Sequence, residues 1–219
     1  MSNTYAALFD MDGVLVDNHE MHLESWRQFF KRKNMDVSDA EITRHFGSTN
    51  VDYMRAIFGE SISMDEIHQN GREKEQIYRE IYAGKVKEVN GLTPFLKDLK
   101  SKGFVIAVAT SGPMENIQFI LKETHTAAYF DVLVDAFMVE KGKPHPDIYQ
   151  KAAKKAGADP AHCIVFEDST QGIESGNAAG MKVIGLATTH PAEKLKNTIK
   201  TMNDFTETDA STIMQIIKM

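Results

Sequence analysis

Cysteine is almost absent from this chain of 219 residues, since Cys163 is the only one. A single thiol forms no internal disulfide, so we expect a hydrophobic core to hold the fold and a reducing compartment to contain the protein. A chain of this length buries well over half of its unfolded surface, so no disulfide or structural metal is needed. The cysteine content therefore favours a cytoplasmic protein.

An excess of basic charge is also missing. Lys and Arg total 25 residues against 31 Asp and Glu residues, which gives a formal net charge of −6. Nucleic-acid binders instead carry a clustered basic face, so we expect no nucleic-acid partner. The same negative charge weakly repels any anionic substrate, unless a bound cation reverses the sign locally.

Long apolar runs are missing as well. No stretch approaches the roughly 18 apolar residues that cross a bilayer. The N-terminal segment lacks a basic start and contains Asp10 and Asp12, so we do not expect a signal peptide or a membrane partner. The composition, with 42% apolar and 26% charged residues, is typical of a globular protein. Nothing in it requires more than a monomer.

Short apolar runs alternate with amphipathic segments over most of the chain. The runs that predict strands are 5–9, 104–109, 130–134, 163–166 and 182–186. Segments of helical spacing lie between them, at about 94–102, 117–121, 148–156, 173–179 and 213–217. This alternation predicts an α/β protein with a doubly wound, Rossmann-like parallel sheet covered on both faces.

The stretch 17–87 departs from the alternation, because it has helical spacing and no convincing strand. An apolar stripe at 22–33 predicts one helix, and the spacing at 51–58 predicts a second. The segment Ser63–Glu66 has the form of a capping box that begins a third. We therefore predict an all-helical cap domain at 17–87, inserted into a core domain formed by 1–16 and 88–219.

Polar residues follow several of the predicted strands, where ligands bind in open parallel sheets. They are Asp10, Asp12, Thr110, Ser111, Glu167 and Asp168, with Lys143 in the loop after Val139. Clustered carboxylates imply a cation, and oxygen ligands without a matching Cys or His set favour Mg²⁺. A hydroxyl and an ammonium suit phosphate oxygens. Each signal alone has a simpler explanation as a turn, a helix cap or a surface charge, but their combination indicates phosphoryl transfer.

Four motifs in this order resemble those of the haloacid dehalogenase superfamily, and among its subgroups the β-phosphoglucomutase-like proteins. The matching segments are Phe-Asp-Met-Asp-Gly-Val-Leu-Val-Asp at 9–17, Ala-Thr-Ser at 109–111, Gly-Lys-Pro at 142–144 and Phe-Glu-Asp-Ser at 166–169. The resemblance implies that Asp10 is the nucleophile, which forms an aspartyl-phosphate. It implies that Asp12 protonates the leaving oxygen and then deprotonates the attacking water.

The resemblance also implies which residues bind the metal ion and which bind the transferring phosphoryl group. Mg²⁺ would be held by Asp10, by the backbone carbonyl of Asp12 and by Asp168, with Glu167 close by. Thr110, the Ser111 amide and Lys143 would bind the transferring phosphoryl group. Asp10, Asp12, Thr110 and Lys143 are thus the expected catalytic residues.

Substrate choice is expected to depend on the cap, where the candidate contacts are Asn18, His22, Asn50 and the loop 47–49. The resemblance implies that a mutase carries a cap arginine for the distal phosphate, and a gapless alignment places Asn50 there. An uncharged amide does not anchor a second phosphate as a guanidinium does. We therefore expect a Mg²⁺-dependent phosphatase that hydrolyses a small phosphate monoester, a sugar phosphate.

Three alternatives stay open. A β-phosphoglucomutase is one, because His22, Glu24 and Trp26 match the mutase-like entry helix. An inorganic pyrophosphatase is another, because a small cap site would accept phosphate as the leaving group. A phospho-accepting signalling receiver is disfavoured, because the acidic pair follows the first strand and a helical block of about seventy residues precedes Thr110.

Overall fold

The computed structural model describes residues 4–44 and 50–219. Its chain divides into two compact units. The first is made of Met1–Asp17 and Lys87–Met219, and the second is Asn18–Val86. None of the helices in the described ranges is long and apolar enough to cross a membrane.

A parallel sheet forms the centre of the first unit. Its strands are β1 (Ala6–Phe9), β2 (Val105–Ala109), β3 (Val132–Val134), β4 (Cys163–Glu167), β5 (Lys182–Leu186) and β6 (Lys200–Met202). They lie in the order β3-β2-β1-β4-β5-β6, and each neighbouring pair is parallel. The strand order reverses between β1 and β4, which makes that crevice the topological switch point. The predicted doubly wound α/β fold is confirmed.

The strands are continuous apolar runs because helices cover both faces of the sheet. Every residue of β1 is fully buried, and β4 is buried along its whole length. The helices of this unit are α5 (Leu92–Ser101), α6 (Met114–Glu123), α7 (Asp147–Ala156), α8 (Thr170–Ala178) and α9 (Ala210–Lys218). Below the switch point Phe9 stacks on Phe166, with ring centroids 4.6 Å apart.

In its described residues, the second unit consists of helices joined by turns and short irregular segments. Its helices are α1 (His19–Arg32), α2 (Asp39–Arg44), α3 (Asn50–Phe58) and α4 (Met64–Tyr82). Trp26 of α1 stacks on Tyr53 of α3 with ring centroids 3.9 Å apart, and Phe29 and Phe30 are buried beside them. The predicted capping box is present, since Ser63 Oγ accepts from the Glu66 amide and the Glu66 carboxylate accepts from the Ser63 amide.

Among the strands and α-helices given above, two have no counterpart in the sequence predictions. β6 is the short polar segment Lys-Thr-Met, and it forms by adding to the exposed edge of β5. α2 spans six residues, of which only Ile42 is buried. Neither segment carries enough apolar periodicity to be recognised locally. A smaller difference concerns Glu167, which is the last residue of β4, paired with Gly185, and not the first residue after the strand.

Candidate active site

The carboxyl end of β1 places Asp10 at the switch point. The Asp10 amide donates a 3.0 Å hydrogen bond to the Phe166 carbonyl, which continues the pairing of β1 with β4 beyond the strand. The side chain therefore leaves the sheet beside the end of β4, where Glu167 and Asp168 lie. Only 9% of Asp10 is exposed.

An ammonium group joins these acidic residues. Lys143 lies in the loop before α7, and its side chain is buried. Its Nζ is 2.8 Å from Asp10 Oδ1 and 2.5 Å from Glu167 Oε1. A residue 133 positions from Asp10 in sequence thus becomes its direct partner. The fold brings together four of the residues that the strand-end pattern selected.

Glu167 is held by donors on both of its carboxylate oxygens. Oε2 accepts from the Asp168 amide at 3.1 Å, and from the Ser169 amide and hydroxyl at 3.1 and 3.0 Å. Oε1 accepts from Lys143 and from the Tyr149 hydroxyl, the latter at 2.7 Å. Glu167 is fully buried, so these donors replace the water that would otherwise solvate it.

Two glycines leave room for these carboxylates. Gly13 has φ +73°, and a Cβ there would collide with the Asp168 carboxylate. A Cβ at Gly172, in the first turns of α8, would collide with the Glu167 carboxylate. Any larger residue at either position would therefore displace an acidic side chain of the site.

Burial sets the protonation of the site. It raises the pKa of Asp10 to about 7, with repulsion from Glu167 and Asp12 adding to it and Lys143 opposing it. Burial also raises the pKa of Asp168 well above its usual value, and the charges of Glu167 and Asp10 add to that shift. For Lys143, burial alone would lower the pKa, but the charges of Asp10 and Glu167 outweigh it and raise that pKa. If all of these acidic side chains were ionised, they would carry more negative charge than one lysine neutralises.

A divalent cation fits this arrangement. Asp10, Glu167 and Asp168 each offer a carboxylate oxygen, and these oxygens all lie within 4.8 Å of one another. Hard cations such as Mg²⁺ take oxygen ligands of this kind, and a buried cation would stabilise the ionised form of carboxylates whose pKa burial has raised. The donor set is compatible with a divalent metal.

Asp12 and Thr110 lie close to each other beside Gly112. A Cβ built at Gly112 would be 3.6 Å from Thr110 Oγ1 and 4.0 Å from Asp12 Oδ2, so both groups surround that glycine. Thr110 is buried, and its hydroxyl accepts from the Gly112 amide at 3.1 Å. Ser111, which lies between Thr110 and Gly112 in the chain, is half-buried. Asp12 is near enough for its charge to act on Asp10.

The second unit contains a separate polar cluster. Asn18 donates a 2.6 Å hydrogen bond to the Tyr78 hydroxyl, and the His22 ring stacks on Tyr78 at 4.2 Å. Lys74 Nζ lies 2.9 Å from His22 Nδ1 and 3.1 Å from Glu75 Oε1. Asn18 and His22, two candidate specificity residues, therefore share one cluster. The third candidate, Asn50, begins α3, but its side chain and the loop 47–49 lie outside the described residues.

Several residues of these clusters were missed by sequence reasoning. The Thr189 side chain bonds to Asp168, and Thr188 Oγ1 donates to the Gly13 carbonyl at 2.5 Å. Both threonines follow β5, so the strand-end rule that selected Thr110 would have found them. Tyr149 and Lys74 lie within helices, where that rule gives no signal. Lys74 does fall on the buried stripe of α4, one turn before Tyr78.

A sequence profile of the haloacid dehalogenase-like hydrolases matches residues 7–186, which include every strand-end residue named above except Thr188 and Thr189. The chain belongs to this family. The resemblance carried by the four motifs is therefore confirmed.

Relatives within the family narrow the class of enzyme. Over 212 residues the chain is 29% identical to the validoxylamine A 7'-phosphate phosphatase of Streptomyces hygroscopicus subsp. limoneus, covering 92% of this chain and 94% of that protein. Over 184 residues it is 30% identical to a phosphorylated carbohydrates phosphatase of Thermotoga maritima, with 82% and 83% covered. The chain is therefore one of the family's phosphatases.

The fold agrees with the β-phosphoglucomutase-like subgroup. The crystal structure of the β-phosphoglucomutase from Clostridium difficile matches with a TM-score of 0.85, over 98% of this chain and 97% of that one. The two sequences are 24% identical, so this match shows a shared fold.

Proposed function

We propose that this haloacid dehalogenase-like phosphatase is a Mg²⁺-dependent enzyme that hydrolyses a small phosphorylated sugar through an aspartyl-phosphate on Asp10. The observation that carries the proposal is the buried ammonium of Lys143, 2.8 Å from Asp10 and beside a cluster of carboxylates at the switch point. A sugar phosphate is favoured because the Thermotoga maritima relative is named for phosphorylated carbohydrates, while the Streptomyces relative is named for a phosphate monoester, validoxylamine A 7'-phosphate.

The nucleophile in this proposal is Asp10. Its carboxylate attacks phosphorus as the bond to the substrate oxygen breaks, and Asp12 gives that oxygen its proton. Asp12 then takes a proton from water, which attacks the aspartyl-phosphate, releases phosphate and restores Asp10. Thr110 and Asp12 both lie near Gly112, and the charge of Asp12 acts on Asp10, so we assign both residues to the phosphoryl group on Asp10.

Positive charge and hydrogen-bond donors stabilise the transferring group. Lys143 is the ammonium within reach of Asp10, while the Thr110 hydroxyl and the Ser111 amide are the neutral donors that we assign to the phosphoryl oxygens. Preformed donors of this kind lower the barrier, because they need no reorganisation when charge develops.

Asp10, Asp168 and the backbone carbonyl of Asp12 would hold the Mg²⁺. Glu167 lies in the same cluster, but its oxygens already accept hydrogen bonds from several donors, so we assign it mainly to holding Lys143. When bound, Mg²⁺ would neutralise negative charge on the phosphoryl oxygens and favour the ionised form of Asp10. This would also remove the conflict between an anionic substrate and a chain of net charge −6.

Selection of the leaving group is assigned to the helical segment 17–87, acting as a cap domain. Asn18 and His22 are the contacts that we propose, and Asn50 is proposed on sequence grounds alone. A mutase and a pyrophosphatase would use the same core residues, so only the products distinguish them.

The test is phosphate release by the purified protein with Mg²⁺ from hexose phosphates, pentose phosphates, nucleotides and pyrophosphate. We expect the highest kcat/KM for a sugar phosphate, loss of activity with a chelator, and loss with Asp10→Asn. Asp36→Asn, at an exposed aspartate of the second unit, is the matched control. Absence of phosphate release from the whole panel would refute the proposal. Conversion of β-glucose 1-phosphate to glucose 6-phosphate faster than phosphate release would replace it with the mutase.

A further inference from the structure

Tyr149 lies where it can act on the site without touching the nucleophile. It is fully buried on α7, and its hydroxyl donates a 2.7 Å hydrogen bond to Glu167 Oε1. The same oxygen accepts from Lys143 Nζ at 2.5 Å, and that Nζ lies 5.0 Å from the centre of the Tyr149 ring. The tyrosine therefore contacts both members of the Glu167–Lys143 pair.

The two oxygens of Glu167 are held in different ways. Oε2 accepts from the Asp168 amide and from the amide and hydroxyl of Ser169. Residues that directly follow Glu167 in the chain therefore hold this oxygen. Oε1 faces the site, and within the described part of the chain its hydrogen-bond donors are Lys143 and Tyr149. Tyr149 is thus the neutral donor that shares this oxygen with the lysine.

Sharing that oxygen changes the balance that holds Lys143. The ammonium lies between Asp10 and Glu167, so its position depends on how strongly each carboxylate attracts it. A hydroxyl that donates to Oε1 takes up part of the charge there and weakens the pull of Glu167 on the ammonium. Without the hydroxyl, Oε1 is left to Lys143 alone in a buried site, where an unsolvated charge is strongly destabilised.

We propose that Tyr149 is a positioning residue, which acts through Glu167 to keep the Lys143 ammonium available to Asp10 and to the transferring phosphoryl group. The proposal rests on the function proposed above, because it assigns the lysine to the phosphoryl group. It adds a residue outside the four motifs, and it explains why a helix facing the sheet carries a buried phenol among the apolar residues Ile148, Ala152 and Ala153.

Tyr149→Phe is the decisive variant, since it keeps the ring in the core and removes only the hydroxyl. Tyr53→Phe is the matched control, because Tyr53 is also buried and its hydroxyl donates to the Ile42 carbonyl within the helical unit. Isothermal titration calorimetry, in which inorganic phosphate is added to the protein in the presence of Mg²⁺, measures phosphate binding independently of turnover. We expect the phosphate Kd to weaken about tenfold in Tyr149→Phe and to stay within about twofold of wild type in Tyr53→Phe.

A second measurement separates positioning from packing. In a Glu167→Gln background, Tyr149→Phe should weaken phosphate binding by no more than about twofold, because Glu167 carries the effect. A full tenfold loss in that background would overturn the proposal, as would a wild-type phosphate Kd in Tyr149→Phe, even if its unfolding midpoint falls. Failure of the wild-type enzyme to hydrolyse any phosphate ester would instead refute the proposed function, and that result comes from a separate assay.

Discussion

Two buried lysines, one in each unit, have very different surroundings. Lys143 lies between the carboxylates of Asp10 and Glu167 at the ends of β1 and β4. Lys74 lies inside the helical unit, 3.1 Å from Glu75 and 5.1 Å from the centre of the Trp26 ring. The Lys143 ammonium contacts two carboxylates, so it can keep one of them when a ligand replaces the other. The Lys74 ammonium instead contacts one carboxylate, an imidazole and aromatic rings.

The difference shows what a buried charge can be used for. A lysine shared by two carboxylates can exchange one partner for a phosphoryl group without becoming unpaired. A lysine packed against aromatic rings gains cation–π attraction and fixes the helices around it. We therefore expect Lys143 to matter mainly for chemistry and Lys74 mainly for the stability of the helical unit.

The largest effect is expected at Lys143. Lys143→Met should lower kcat/KM by about 10²–10³-fold, because it removes the positive charge nearest to Asp10. Steady-state phosphate release measures this, with Lys141→Met, at an exposed lysine of the same loop, as the control. An activity within a few-fold of wild type would end the proposed distinction between the two lysines.

A smaller effect, on stability, is expected at Lys74. Lys74→Met should lower the free energy of unfolding by about 3 kcal/mol, because it leaves the buried carboxylate of Glu75 without its ammonium partner. Urea unfolding monitored at the single Trp26 reports on this unit, and the double variant Lys74→Met, Glu75→Gln should recover part of the loss.

Two further measurements limit that interpretation. Lys33→Met is the control, since Lys33 pairs with Glu73 at 2.8 Å but both side chains are about one-third exposed. If Lys74→Met leaves stability unchanged and lowers activity as far as Lys143→Met, the cap lysine belongs to the catalytic machinery, and the contrast drawn above is wrong.

The smallest effect is expected at an exposed pair, Lys100 with Asp131, which shows what a lysine contributes near water. Burial would raise the pKa of Asp131, but hydrogen bonds from Lys100 and from the Ile106 amide outweigh it and lower that pKa. A carboxyl whose pKa is lower when folded stabilises the fold above its unfolded pKa of about 3.9, and this contribution is lost as the pH falls through the folded value.

Asp131→Asn should therefore lower the free energy of unfolding by less than about 1 kcal/mol near pH 7, because the pair is partly solvated. The difference from wild type should shrink as the pH falls below about 4. Urea unfolding at both pH values checks this. A difference that grows on acidification would contradict the assigned direction of the shift.

The core of the candidate site could be predicted because its residues follow a rule of parallel sheets. Asp10, Thr110 and Asp168 stand directly after β1, β2 and β4, and the carboxyl ends of those strands meet at one edge. Thr189 obeys the same rule, since it lies in the segment that follows β5. Tyr149 could not be found in this way, since its partner Glu167 lies 18 residues further along the chain and on another element.

Lys74 shows the same limit in the helical unit. In sequence it stands in the charged run Arg-Glu-Lys-Glu at 72–75, which is typical of a solvated helix face. The tertiary structure buries Lys74 and Glu75 of that run and leaves Arg72 exposed, because α4 packs against α1 with His22 and Trp26 at the contact. Composition gave no hint of which charges would lose their water.

The sequence by itself determined the α/β class, the helical insertion and the strand-end residues. Apolar periodicity is a local property that indicates which faces are buried, and the order of these segments along the chain indicates the fold class. The tertiary structure decided the rest. It placed Glu167 inside β4, added β6 to the edge of the sheet, and chose Asp10 and Glu167 as the partners of Lys143. These outcomes depend on which strand lies beside which, and a side chain finds its partner only after that order is set.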